Sequence, residues 1–179
     1  MTRFIALLRG VNVGGITVTS AELAELFRGL GFDDVRTVLA SGNVRFDVLP
    51  SEAGAEDTAA LKRRIESALR ERFGYEAWIV LVSSEQLAAI VEGFPFDAKR
   101  EGWHPYVLFS SASEPLEELL AAAPMLDDDD VIEQGEGVIY WHNRRAVGVG
   151  SAFSKLSGKA RYRSSTTNRN LRTLCKLLD

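Results

Sequence analysis

The stretch Phe4-Ile5-Ala6-Leu7-Leu8-Arg9-Gly10-Val11-Asn12-Val13-Gly14-Gly15 decides how the rest of the chain is read. Five consecutive apolar residues predict a buried strand, and the arginine and glycines after them predict a loop with exposed backbone at its end. Downstream, Thr19-x-x-Glu22 has the form of a capping box, and Leu23, Leu26, Phe27 and Leu30 follow at helical spacing before a left-handed stop at Gly31. Val35 to Leu39 and Val44 to Val48 read as strands around Ala40-Ser41-Gly42-Asn43. In the second of these, Val44, Phe46 and Val48 alternate with Arg45 and Asp47, which predicts one face open to water. A loop over 50–55, a helix carrying Leu61, Ile65, Leu69 and Phe73, and an apolar strand from Ala77 to Val82 complete the series. The order β-α-β-β-α-β is that of a ferredoxin-like lobe, assigned to residues 1–82.

Residues 83–179 repeat this order less cleanly. Ser83-x-x-Gln86 caps a helix with Leu87, Ile90 and Val91 inward, expected to join the lobes. Tyr106 to Phe109 is a strand and Ser113 to Ala121 a helix, while Val131 to Glu133 and Val138 to Trp141 flank the hairpin signal Gln134-Gly135-Glu136-Gly137. Residues 151–165 are polar and basic and define no element. The last helix is expected from about Thr167, with Leu171, Leu174, Cys175 and Leu178 inward. The fold class is therefore α+β, with two ferredoxin-like (βαββαβ-type) halves, the second degenerate.

Composition narrows the classes. With 179 residues, 46% hydrophobic, and a mean hydropathy of −0.04, the chain fits an ordinary globular protein. No run approaches the ~18 apolar residues of a membrane span, and no cleavage signal follows the first strand, so a cytoplasmic protein without membrane partners is expected. The one cysteine, Cys175, excludes an internal disulfide. It falls on the apolar stripe of the last helix, so it is expected to be buried and inert. Charge is uneven: residues 144–179 carry nine cations against Asp179, a net +8, so the rest holds −12 of the overall −4. That asymmetry fits an anion or nucleic-acid surface, or a basic tail lying on an acidic body.

Two stretches stand out as binding candidates. In the first, glycines let amide N–H groups converge on an anion and Arg9 adds a forked donor. Yet Gly10-x-x-x-Gly14-Gly15 is neither a dinucleotide fingerprint nor a phosphate loop, and the helix cap comes four residues later. The alternative is a long turn whose glycines solve a backbone problem. In the second, Thr167-Asn168-Arg169-Asn170, the cations Arg169, Arg172 and Lys176 form a stripe at i, i+3 and i+7. Two of them would sit where a helix's own N-terminal charge disfavours cations, which invites a compensating anion.

The remaining motifs carry less. Asp127 to Asp130 lacks the glycine and distal glutamate of a calcium loop and reads as a solvated turn. His104 and His142 have no ligand-spaced partners. Trp78, Trp103 and Trp141 lie on or beside strands and read as packing. An RNA-recognition surface would need stacking aromatics on the open sheet face, where only Phe46 and Phe4 are on offer, and the pI of about 5.3 opposes it.

The stretches Leu7 to Gly15, Leu30-Gly31-Phe32, Val38 to Val44 and Thr167-Asn168-Arg169-Asn170 with Thr173 together resemble the domain-of-unknown-function 1697 family across essentially the whole chain. Leu171 stands where that family commonly has tryptophan, and Thr17 to Thr19 replaces its usual basic stretch. The resemblance implies a bacterial soluble protein of two ferredoxin-like α+β halves and supplies no established activity.

The functional expectation is a binding protein for an anionic, nucleotide-like small molecule. Its site is assigned to Arg9, Asn12, Gly14, Gly15, Ser41, Gly42, Asn43, Thr167, Arg169 and Asn170, with the three stretches converging and no metal or cofactor. The alternatives are an RNA- or DNA-contacting module using Lys159, Arg161 and Arg163, or a ligand-free protein-interaction domain. An enzyme would need a general base, and only carboxylates and His142 lie near the motifs. No catalytic constellation emerges.

Overall fold

Residues Thr2–Arg9 form strand β1, in which Phe4, Ala6 and Leu8 point to one face and Ile5, Leu7 and Arg9 to the other. The computed structural model describes residues 1–11, 15–39, 42–49, 55–74 and 76–179, and in residues 55–57 the backbone alone. After β1 come α1 (Ser20–Gly29), β2 (Asp33–Thr37), β3 (Asn43–Val48), α2 (Ala55–Phe73) and β4 (Trp78–Ser83). The capping box is realised: the Glu22 amide donates to Thr19 Oγ1 at 3.2 Å and the Thr19 amide to Glu22 Oε2 at 2.9 Å. β1 pairs antiparallel with β3 on one side and β4 on the other, giving the sheet order β2-β3-β1-β4. One face of this sheet carries Phe4, Ala6, Leu8, Val44, Phe46 and Ile79, and α1 and α2 lay Leu23, Phe27, Leu61, Ile65 and Leu69 in the same core.

The opposite face corrects the expectation of a wet surface. Ile5 and Leu7 are fully buried, and Arg45 is 4% exposed. Alternation separates two faces but does not say which one water reaches. Arg45 is accommodated because its guanidinium lies 3.8 Å from the Asp34 carboxylate and donates to the Leu177 carbonyl at 3.5 Å. That carbonyl ends a helix, where a cation is favoured.

The second series is α3 (Ser84–Glu92), β5 (Trp103–Ser110), α4 (Ser113–Ala121), β6 (Asp130–Gln134), β7 (Val138–Arg144), α5 (Ala152–Ser157), β8 (Thr166–Asn170) and α6 (Leu171–Leu178). Its sheet has the order β6-β7-β5-β8, the same arrangement as the first. The fold is mixed α+β with two four-stranded antiparallel sheets. The chain divides into two compact units, one of Met1–Leu87 with Lys176–Asp179 and a second of Ala88–Cys175.

Three expectations fall here. The last helix does not begin at Thr167: Thr166–Asn170 is a strand, paired to β5 from Tyr106↔Asn170 to Ser110↔Thr166. The second half is thus a full β-α-β-β-α-β series after α3. The buried stripe of α6 is Leu171, Leu174 and Leu177. Cys175 is consequently exposed.

The third concerns Asp130, which is no part of a solvated turn but 6% exposed. Its carboxylate accepts from Trp141 Nε1 at 2.8 Å, Asn143 Nδ2 at 3.0 Å and the Phe153 amide at 2.8 Å. A buried carboxylate is tolerable when donors saturate it, and this one ties β6, β7 and the start of α5 together. Asp129 pairs with Arg144 at 2.6 Å.

Candidate functional site

The two glycine-bearing stretches of the first unit meet. Leu7 lies opposite Asn43 across the β1–β3 ladder, and the Leu8 amide donates to the Gly42 carbonyl at 2.8 Å. Arg9 is therefore delivered to the end of β1 beside the β2–β3 turn. Backbone geometry explains the glycines: φ is +81° at Gly10, where the chain leaves β1, and +102° at Gly42. Leu39 adopts φ 59° at the other side of the turn while 51% exposed, a strained choice for a branched residue. Gly15 is exposed. Asn12, Gly14 and Ser41 lie outside the described residues.

Asn43 has a structural duty. Its side-chain amide donates to the Val38 carbonyl at 3.1 Å while its own carbonyl accepts from the Val38 amide at 3.0 Å, clamping the turn. The face of the sheet that carries Arg9 and Asn43 also carries Arg45 and Arg3. The carboxylates gather at the Arg3 end. Arg3 grips Asp47 with two bonds of 2.8 and 3.0 Å and reaches Asp34 at 2.8 Å. The bond from Arg3 holds the Asp47 carboxyl below its ordinary range. Arg45 Nε is buried and has no hydrogen-bond partner among the described residues. Sequence reading missed Arg45 as a site feature. Its alternation with Val44 and Phe46, shared with Asp47, marked a solvated face and so gave no signal of burial.

Thr167, Arg169 and Asn170 lie in the second unit, on β8. Thr167 is buried, and its hydroxyl accepts from Arg169 Nη1 at 2.6 Å. Asn170 Oδ1 accepts from the Arg172 amide at 3.0 Å, so this residue caps α6. Arg169 is on a strand rather than in a helical first turn, so of the two cations only Arg172 stands in the first turn of α6. The remaining basic residues are partly neutralised within the unit: Arg144 pairs with Asp129, and Arg161 lies 3.4 Å from Glu118.

The second unit also has a cleft of about 300 Å³ between the β5–α4 turn and the β6–β7 hairpin, lined by Ser110, Ser113, Leu116, Glu117 and Gln134 among others. None of its lining residues is a lysine or arginine, and Glu117 places a carboxylate there, so it does not suit an anion. Elsewhere in that unit His142 is 2% exposed, stacked on Phe96 at 5.5 Å and beside Trp103 at 5.0 Å. Burial pushes its pKa down, Arg100 adds to this, and Asp97 opposes it. It is a neutral packing group rather than a positioned base. Among the described residues no group of three His, Cys, Asp or Glu side chains could hold a metal. Nor is any described helix long and apolar enough to cross a membrane.

The chain belongs to the family described as Protein of unknown function (DUF1697), which it matches over residues 1–140. No curated protein matches it. Among solved structures it is similar to the conserved bacterial protein SP0830 from Streptococcus pneumoniae, at 28% identity and a TM-score of 0.79, over 99% of this chain and 97% of that one.

Proposed function

We propose that the protein binds a small anionic molecule at the Arg9 end of the first sheet, with Arg9 as the charged fork and the backbone amides of Gly10, Val11 and Gly15 as further donors. The observation that carries the reading is the Leu8 to Gly42 hydrogen bond of 2.8 Å. It joins the loop after β1 to a strained turn that lies more than thirty residues on in the chain, and strain of this kind collects at ligand sites. The matched strand orders support reading both halves as ferredoxin-like lobes that act as scaffolds for such loops.

A thermal-shift panel tests the proposal with inorganic phosphate, sugar phosphates and short oligonucleotides at two salt concentrations. A ligand at a hundred times its Kd adds about 2.7 kcal/mol, or roughly 5–11 °C for a chain of this length. Arg9→Ala is expected to abolish a shift given by a small anion. A shift given only by oligonucleotides and erased by salt would transfer the function to the basic segment 155–163.

A further inference from the structure

The register of the first sheet places Trp78 directly opposite Arg9 across the β1–β4 ladder. Cross-strand partners share a face, with Cβ atoms about 4.5–5.5 Å apart. Trp78 therefore stands beside the arginine, at the start of β4 and the end of β1. It differs from the other two tryptophans. Trp103 is 6% and Trp141 3% exposed, and both are packed against other rings, whereas Trp78 is only half-buried. No described aromatic ring packs on Trp78, and no described group accepts from its indole N–H. Structural tryptophans usually bury the ring or satisfy the N–H. One that leaves part of its ring exposed and its N–H without a described acceptor, next to a cation, has the character of a ligand contact.

We infer that Trp78 is a stacking platform, so that the site takes an anion carrying a planar aromatic group, of which a nucleoside 5′-monophosphate is the simplest form. The inference rests on the anion-binding reading above. In it, the phosphate meets Arg9 and the amides of Gly10 and Val11, and the base lies against the indole. The ring makes the difference between holding any phosphate and selecting one that bears a base.

The test is calorimetric titration of the full chain with inorganic phosphate, adenosine 5′-monophosphate and adenosine, followed in parallel by tryptophan fluorescence. The monophosphate is expected to bind at least about tenfold more tightly than inorganic phosphate, the scale of one stacked base, and to quench the emission. Trp78→Leu should bring the monophosphate down to the affinity of phosphate and leave phosphate unchanged. Trp78→Phe, which keeps a ring in place, should retain most of the preference and controls for folding. If phosphate and the monophosphate bind the wild-type protein equally, the platform is wrong and the anion site stands. If neither binds, both fall.

Discussion

In the first unit, α2 runs for nineteen residues and, with α1, covers the sheet with leucine, isoleucine and phenylalanine. In the second, the same place in the series is held by α5, six residues long. The strand order is identical, yet the means of closure differ. The first unit depends on a continuous apolar core in which the Phe46 ring lies 4.6 Å from Phe32 and 5.1 Å from Phe27. The second has a smaller apolar cluster around Phe153, Ile139 and Leu119. It adds a buried carboxylate, Asp130, and a string of rings from Phe94 and Phe96 to His142 and Trp103. Where a short helix covers too little apolar area, directed hydrogen bonds hold the sheet instead. The comparison also bears on function: the unit with the robust core is the one that displays strained and glycine-rich loops at a strand end.

The contrast is open to attack by substitution. Phe46→Ala should have the largest effect, a loss of about 3–5 kcal/mol for a fully buried ring, read as a lower urea midpoint. Asp130→Ala should follow at about 3 kcal/mol, since it orphans the buried Trp141 indole N–H and Phe153 amide, while Asp130→Asn should recover part of the loss. If Asp130→Ala cost under about 1 kcal/mol, the second unit would rest on its apolar cluster like the first.

Acid should separate the units more gently. The His142 pKa is lowered from its ordinary 6.5, with burial the main cause. The folded state thus binds fewer protons than the unfolded one. This contribution is complete above pH 6.5 and is lost as pH falls through the lowered value. Asp47 in the first unit is lowered from 3.8, chiefly by its bond to Arg3, so its contribution persists until pH falls below that figure. Between about pH 7 and 5 the stability lost should reside in the second unit, where burial and Arg145 lower His104 as well, and be reduced by His142→Gln and removed by the double variant with His104→Gln. Urea midpoints at the two pH values check this, and an unchanged pH dependence in the double variant would refute it.

Much of the architecture was legible because apolar alternation and caps are local. The capping box at Thr19 and Glu22 and the helix over Ser113–Ala121 stand where the spacing puts them. β8 was not legible. Thr166-Thr167-Asn168-Arg169-Asn170 has no apolar alternation, and its strand form comes from pairing with β5. Asp130 and Arg45 were misread for one reason: a charge in sequence looks solvated until the partners that bury it are known. At the candidate site, Arg9 and the glycines could be read from residue type. Trp78 could not, because its place beside Arg9 exists only in the β1–β4 register.

The most direct test is an amide and indole chemical-shift titration of the 19.7 kDa chain with adenosine 5′-monophosphate. Saturable shifts are expected, concentrated at Arg9, Gly10, Val11, Gly15, Gly42 and the Trp78 indole. Shifts confined to residues 155–163 or to the Ser110–Ser113 turn, or none at all, would contradict it.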